Sequence, residues 1–111
     1  MTIQEVKRYF FAYRNGVVAD VLRRGGSGFR TLFGVQLAVL SQLAREIGYD
    51  DELARQLWED SDVRESRLLS YYLMDPSHLT DADCRRLLAA VRDREDEQVL
   101  RFKLLTPFGF L

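Results

Sequence analysis

Asp50–Pro76 reads DDELARQLWEDSDVRESRLLSYYLMDP, and it describes two helices joined by a corner. Asp50 or Asp51 offers a side-chain oxygen to cap the first helix, along which Leu53, Leu57 and Trp58 lie at helical spacing. Asp62-Val63-Arg64-Glu65 has the spacing of a capping box and opens the second. Asp75-Pro76 ends it, because a proline ring disfavours the α conformation in the residue before it. Sliding the chain over itself by 31 residues repeats the whole pattern: Leu53 falls on Cys84, Arg55 on Arg86, Leu57 on Leu88 and Asp62 on Asp93. Further on, Leu68 falls on Val99, Leu69 on Leu100, Tyr71 on Phe102, Leu73 on Leu104 and Pro76 on Pro107. Apolar positions, a helix-start Asp and a helix-stopping Pro all keep register. A hairpin of this kind has one apolar face too many for itself and buries it against the next copy.

Toward the N-terminus the chain is also helical. Thr2-Ile3-Gln4-Glu5 is a capping-box pattern, and Ile3, Val6, Phe10, Tyr13 and Val17 follow at helical spacing. Asn15-Gly16 interrupts this helix, a short second one covers Val17–Arg24, and Gly25-Gly26-Ser27-Gly28 stops it. A third runs from about Val35 to Ile47 before Gly48, and this earlier segment fits the 31-residue register poorly. The expectation is one all-α domain over 1–111: a HEAT-like helical-repeat stack, or α-α superhelix, of about seven helices. It divides into basic N-terminal helices (1–47) and two repeat hairpins (50–76 and 81–107), with no strand.

Composition narrows the function classes. The chain has 111 residues, 47% of them hydrophobic and 30% charged, in the range of a globular domain. No apolar run reaches the roughly 20 residues of a membrane span, and the charged start is unlike a signal peptide, so a cytoplasmic location and no membrane partner are expected. Cys84 is the only cysteine and lies on an apolar helix face, while His78 stands alone in a turn; no metal site or cofactor is expected. The net charge of −1 hides an asymmetry: residues 1–45 hold seven basic side chains against Glu5 and Asp20, and the acidic excess lies in the rest. Such a division suits one anion-facing end, or two ends that attract each other or a partner.

Leu22–Val35, LRRGGSGFRTLFGV, concentrates that basic charge. It is not a phosphate-binding P-loop, and no third glycine completes a dinucleotide pattern after Gly26 and Gly28. What remains is a flexible turn with backbone amides and Arg23, Arg24 and Arg30 as anion contacts, or a plain connector. On the fifth helix, a 100° projection groups Arg64, Arg67, Tyr71 and Met74 on one side and Glu65, Leu69, Tyr72 and Leu73 on the other. Arg64, Arg67 and Tyr71 are therefore candidates for phosphate grip and base stacking, or else form a solvated face.

Phe33–Pro76 resembles the N-terminal half of the bacterial DNA alkylation repair family of HEAT-like repeat proteins. The phrases that carry the resemblance are Phe33-Gly34-Val35, Leu57-Trp58-Glu59, Arg64-Glu65, Leu68-Leu69 and Met74-Asp75-Pro76. It implies a helical stack and, for the family's enzymes, removal of alkylated bases from DNA by tryptophans beside an Asp carboxylate. The corresponding stretch here, VRDREDEQVLRFKLL, contains Asp93, Glu95, Asp96 and Glu97 but no tryptophan, and Asp96 is the acid that would stand in for the carboxylate. The expected function is accordingly a non-catalytic binding or scaffold module that contacts duplex DNA through the phosphate backbone. A base-excision glycosylase and a protein-interaction module remain as alternatives. The apolar end LLTPFGFL (Leu104, Leu105, Phe108, Phe110, Leu111) calls for tail-over-end packing, a homodimer or a protein partner.

Overall fold

The computed structural model describes residues 1–110. Helix α1 (Ile3–Ala12) starts on the expected capping box between Thr2 and Glu5. Asn15 accepts from the amides of Val17 and Val18 and opens α2 (Gly16–Arg24), which ends at Gly25. After α3 (Leu37–Ile47) come the two hairpins. Helix α4 (Asp51–Glu59), capped by Asp50, packs along α5 (Arg64–Leu73). A 3₁₀ turn (Pro76–His78) leads to α6 (Asp81–Ala89), capped by a reciprocal Thr80–Asp83 box, and then to α7 (Arg94–Leu100), capped by Asp93. α7 continues through a π turn (Arg101–Leu105) into one last turn, α8 (Thr106–Phe108). Among the described residues there is no strand, only a single parallel bridge between Thr31 and Val63.

Helix α5 is the axis of the molecule. It packs on α4, α3 and α7, and every residue from Val63 to Tyr71 is buried. The two-sided projection of this helix, with Arg64, Arg67 and Tyr71 on an open face, is thus corrected: neighbours cover it all round as far as Tyr71, and Tyr72 is half-buried. Leu57, Leu68, Leu69, Leu73, Leu87, Leu100 and Leu104 join in one core. Removing any of these side chains to Ala costs about 2–5 kcal/mol through lost transfer energy and the cavity left behind.

Residues 27–35 form a strap across the starts of α5 and α7. The Thr31 amide donates to the Asp62 carbonyl at 2.9 Å, and the Arg64 amide donates to the Thr31 carbonyl at 3.0 Å. Phe29, Leu32 and Val35 anchor the strap in the interior. Gly34 has φ +80°, and a Cβ there would lie 2.2 Å from the Asn15 carbonyl oxygen; one on Gly28 would lie 2.4 Å from that of Arg92. Only glycine lets the strap approach these backbones so closely.

Three expectations change in detail. The Asp62–Glu65 capping box does not form: Val63 takes the N-cap position with no side-chain bond, because Glu65 is committed to the strap. Pro107 does not close the last helix: the helical run passes through it without its N–H to donate, and Gly109, in the left-handed conformation, ends the run. The apolar tail folds back, with Leu104 and Leu105 buried and Phe108 and Phe110 packed against the core; the expectation for Leu111 lies outside the described residues.

Candidate nucleic-acid interface

The amides of the glycine-rich strap have an anion, and it is the protein's own. Glu65, fully buried, accepts from the backbone N–H of Phe33 at 3.0 Å, Gly34 at 3.1 Å and Val35 at 3.2 Å. Asp93 accepts from the Gly28 amide at 2.9 Å while its other oxygen caps α7 at the Asp96 amide. Two carboxylates thereby fill the positions a phosphate would need on that backbone. What the strap region leaves to solvent is its side chains: Arg23, Arg24 and Arg30 are exposed and form no ion pair among the described residues.

Arg64, Arg67, Tyr71 and Asp96 are internal wiring. Arg64 is 1% exposed. It grips Glu95 bidentately at 2.7 and 3.0 Å, and its third nitrogen donates to Glu65 at 2.6 Å and to the Val35 carbonyl at 2.9 Å. Arg67 donates to the Ala90 carbonyl at 3.1 Å and lays its guanidinium 4.4 Å from the Trp58 ring centre, with Arg86 at 5.2 Å from the same ring. Trp58 therefore bridges the two hairpins. Tyr71 donates its hydroxyl to Asp96 at 2.6 Å, and burial followed by the Asp96 charge holds its phenol far above the ordinary value. Asp96 also accepts from the Arg92 amide at 2.9 Å, and burial raises its carboxyl above the usual range. Arg64, Arg67 and Tyr71 are each at most 2% exposed, which corrects the expectation that they share an open contact face, and Asp96 is fully buried beside them. The sequence showed their helical spacing but not that Glu95 and Asp96 arrive from α7 to meet them.

A different set of residues reaches solvent together. α5 lies between α3 and α7; two grooves run along their shared face, and a third opens between the end of α2 and the start of α7. The largest, of about 690 Å³, is lined by Leu37, Tyr72, Arg94, Gln98, Phe102 and Lys103, among others. Tyr72 also walls a groove of about 280 Å³ with Arg45 and Tyr49, while Arg94 and Glu95 line a third of about 300 Å³ beside the end of α2. These shared residues join the three grooves into one surface. Arg45, Arg94 and Lys103 have no acidic partner among the described residues, and Arg45 bonds only to Ser41 and Gln42. The Lys103 ammonium lies 5.3 Å from the Tyr72 ring centre. Glu95, an acid in their midst, is held by Arg64, which it shares with Glu65. Cations interleaved with exposed rings make a surface suited to a phosphate backbone and its bases.

Sequence reasoning missed Arg45, Arg94, Tyr72, Phe102 and Lys103. One signal could have found part of the set: Arg94, Gln98 and Phe102 follow at i, i+4 and i+8 on α7, and Lys103 falls on Tyr72 in the 31-residue register.

No protein-family model and no curated protein matches this chain. A solved structure does, from a report of a new family of proteins related to the HEAT-like repeat DNA glycosylases with affinity for branched DNA structures. The TM-score is 0.73 at 19% identity, over 82% of this chain and 38% of that one. The chain thus spans less than two thirds of that protein's length. The likeness shows the fold, a HEAT-like repeat stack.

Proposed function

We propose that this chain is a non-catalytic DNA-binding module of the HEAT-like type, holding the phosphate backbone along the α3–α5–α7 face. The observation that carries this reading is the set of three cations without acid partners, Arg45, Arg94 and Lys103, among the exposed rings of that face. Exposed Arg23, Arg24 and Arg30 add charge on and just after α2. The solved relative's described affinity for branched DNA supports a nucleic acid as the partner. The non-catalytic part rests on Asp96, which meets Tyr71 and Arg92 and is fully buried.

Fluorescence anisotropy of a labelled duplex, titrated at several salt concentrations, tests it. Each phosphate neutralised adds about −0.9 to the slope of log K against log salt. Replacing Arg45, Arg94 and Lys103 together with Gln is expected to lower affinity at least tenfold and to flatten that slope by about 2–3, with the melting temperature unchanged. No binding of the unaltered chain at low salt, or an unchanged slope in the triple variant, would overturn the reading.

A further inference from the structure

A phosphate grip uses only the cations of this face, yet the largest groove is lined mainly by carbon. Phe102 projects from the π turn with 73% of its surface exposed, Tyr72 stands half-buried in the same groove, and Leu37 adds aliphatic surface. Gln98, also lining it, makes no side-chain hydrogen bond among the described residues and is free to meet a base edge. At about 690 Å³ the groove falls within the roughly 300–1,000 Å³ of small-ligand sites, enough for a nucleoside. The register of the repeats shows how unusual Phe102 is: its counterpart Tyr71 is fully buried, and the backbone departs from α geometry into a π turn at this point. π turns frequently mark functional sites.

We propose that this groove receives an unpaired nucleobase, stacked on the rings of Phe102 and Tyr72, while Arg94 and Lys103 hold the phosphates on either side. The consequence is a preference for DNA carrying a single-stranded stretch over an intact duplex, whose base faces are already covered by their neighbours. The proposal rests on the DNA-binding reading above and adds the structural class of DNA to it.

The test compares a labelled intact duplex with the same duplex carrying a four-nucleotide single-stranded gap, with 2-aminopurine in the gap as a reporter of stacking. The expected result is at least fivefold tighter binding of the gapped DNA, with 2-aminopurine emission quenched on binding. Phe102→Ala is expected to remove that preference and the quenching, leaving intact-duplex affinity within about twofold; Phe102→Trp should keep both. Because Phe102 is exposed, an unchanged melting temperature separates these effects from misfolding. Equal affinity of the unaltered chain for the two DNAs, or a preference that survives Phe102→Ala, overturns the stacking proposal while the phosphate reading stands. Binding to neither DNA overturns both. A dimer in sedimentation that Phe102→Ala converts to monomer assigns the groove to a second copy and also overturns the proposal.

Discussion

The two hairpins share a register and use it differently. In the first, Arg64, Glu65, Arg67 and Tyr71 are buried and bonded within the chain; the equivalent positions in the second are Glu95, Asp96, Gln98 and Phe102. Glu95 and Asp96 complete the first hairpin's network, whereas Gln98 and Phe102 face the groove. The physical difference is the company each inner helix keeps. α5 is packed between α3 and α7 with α4 behind it, so its polar groups are desolvated, and all but Arg67 Nε among its buried side-chain polar atoms are paired. α7 has α5 and α6 beside it among the described residues, and its other side is left to solvent. A polar or aromatic residue in a repeat protein is thus structural or available according to its neighbours, and not according to its type.

The largest expected effect comes from the buried acids at matching positions. Glu65→Ala would orphan three strap amides and strip Arg64 of one of its two carboxylates, at a cost of about 3–5 kcal/mol. Asp96→Ala would release Tyr71 and the Arg92 amide and should cost about 2 kcal/mol. Urea denaturation midpoints of the two variants measure the gap; equal losses would erase the distinction between the hairpins.

Next comes the strap that ties the two hairpins together. Gly34→Ala would combine a left-handed backbone with a Cβ against the Asn15 carbonyl, and is expected to lower stability by about 2–3 kcal/mol. Gly28→Ala meets Arg92 alone, at its carbonyl and its Cβ, without the left-handed backbone, and should cost about 1–2 kcal/mol. Hydrogen exchange sharpens the contrast: Gly34→Ala should speed exchange at Phe33–Val35, and exchange rates like those of the unaltered chain would show that the strap yields without loss.

The smallest effect lies in the turn between the hairpins. His78 pairs with Asp51 and Asp75, and the hydrogen bond that the imidazole donates to Asp51, with the charges of both acids, raises it above the ordinary value of 6.5. The 31-residue register places Gly109 at the matching position, so the second hairpin has no such clamp. A raised folded value means that the stabilisation is complete below the unfolded histidine's pKa and is lost as pH rises through the folded one. Melting temperatures should therefore fall slightly from pH 6 upward for the unaltered chain, and His78→Asn should flatten the curve. Parallel curves for the two proteins would remove the clamp from the account.

Much of the fold was legible in the sequence because its determinants are local or periodic. Thr2, Asn15, Asp50, Thr80 and Asp93 cap helices through atoms three residues away at most, and the 31-residue register emerges from apolar spacing alone. The strap was legible as a glycine-rich break, and its Phe33-Gly34-Val35 marks the lead into α3. The fate of the charged side chains was not legible. Whether Arg64 or Arg94 is free depends on whether an acid from a distant segment comes within about 3 Å, and helical spacing carries no information on that. Glu65 looked like a capping residue and is instead bound to amides 30–32 residues away. The sequence by itself determined an all-helical repeat and most of its caps, that of α5 excepted. Only the tertiary structure decided which cations are spent on the interior and which remain for a partner, because burial and pairing are properties of neighbours brought together by folding.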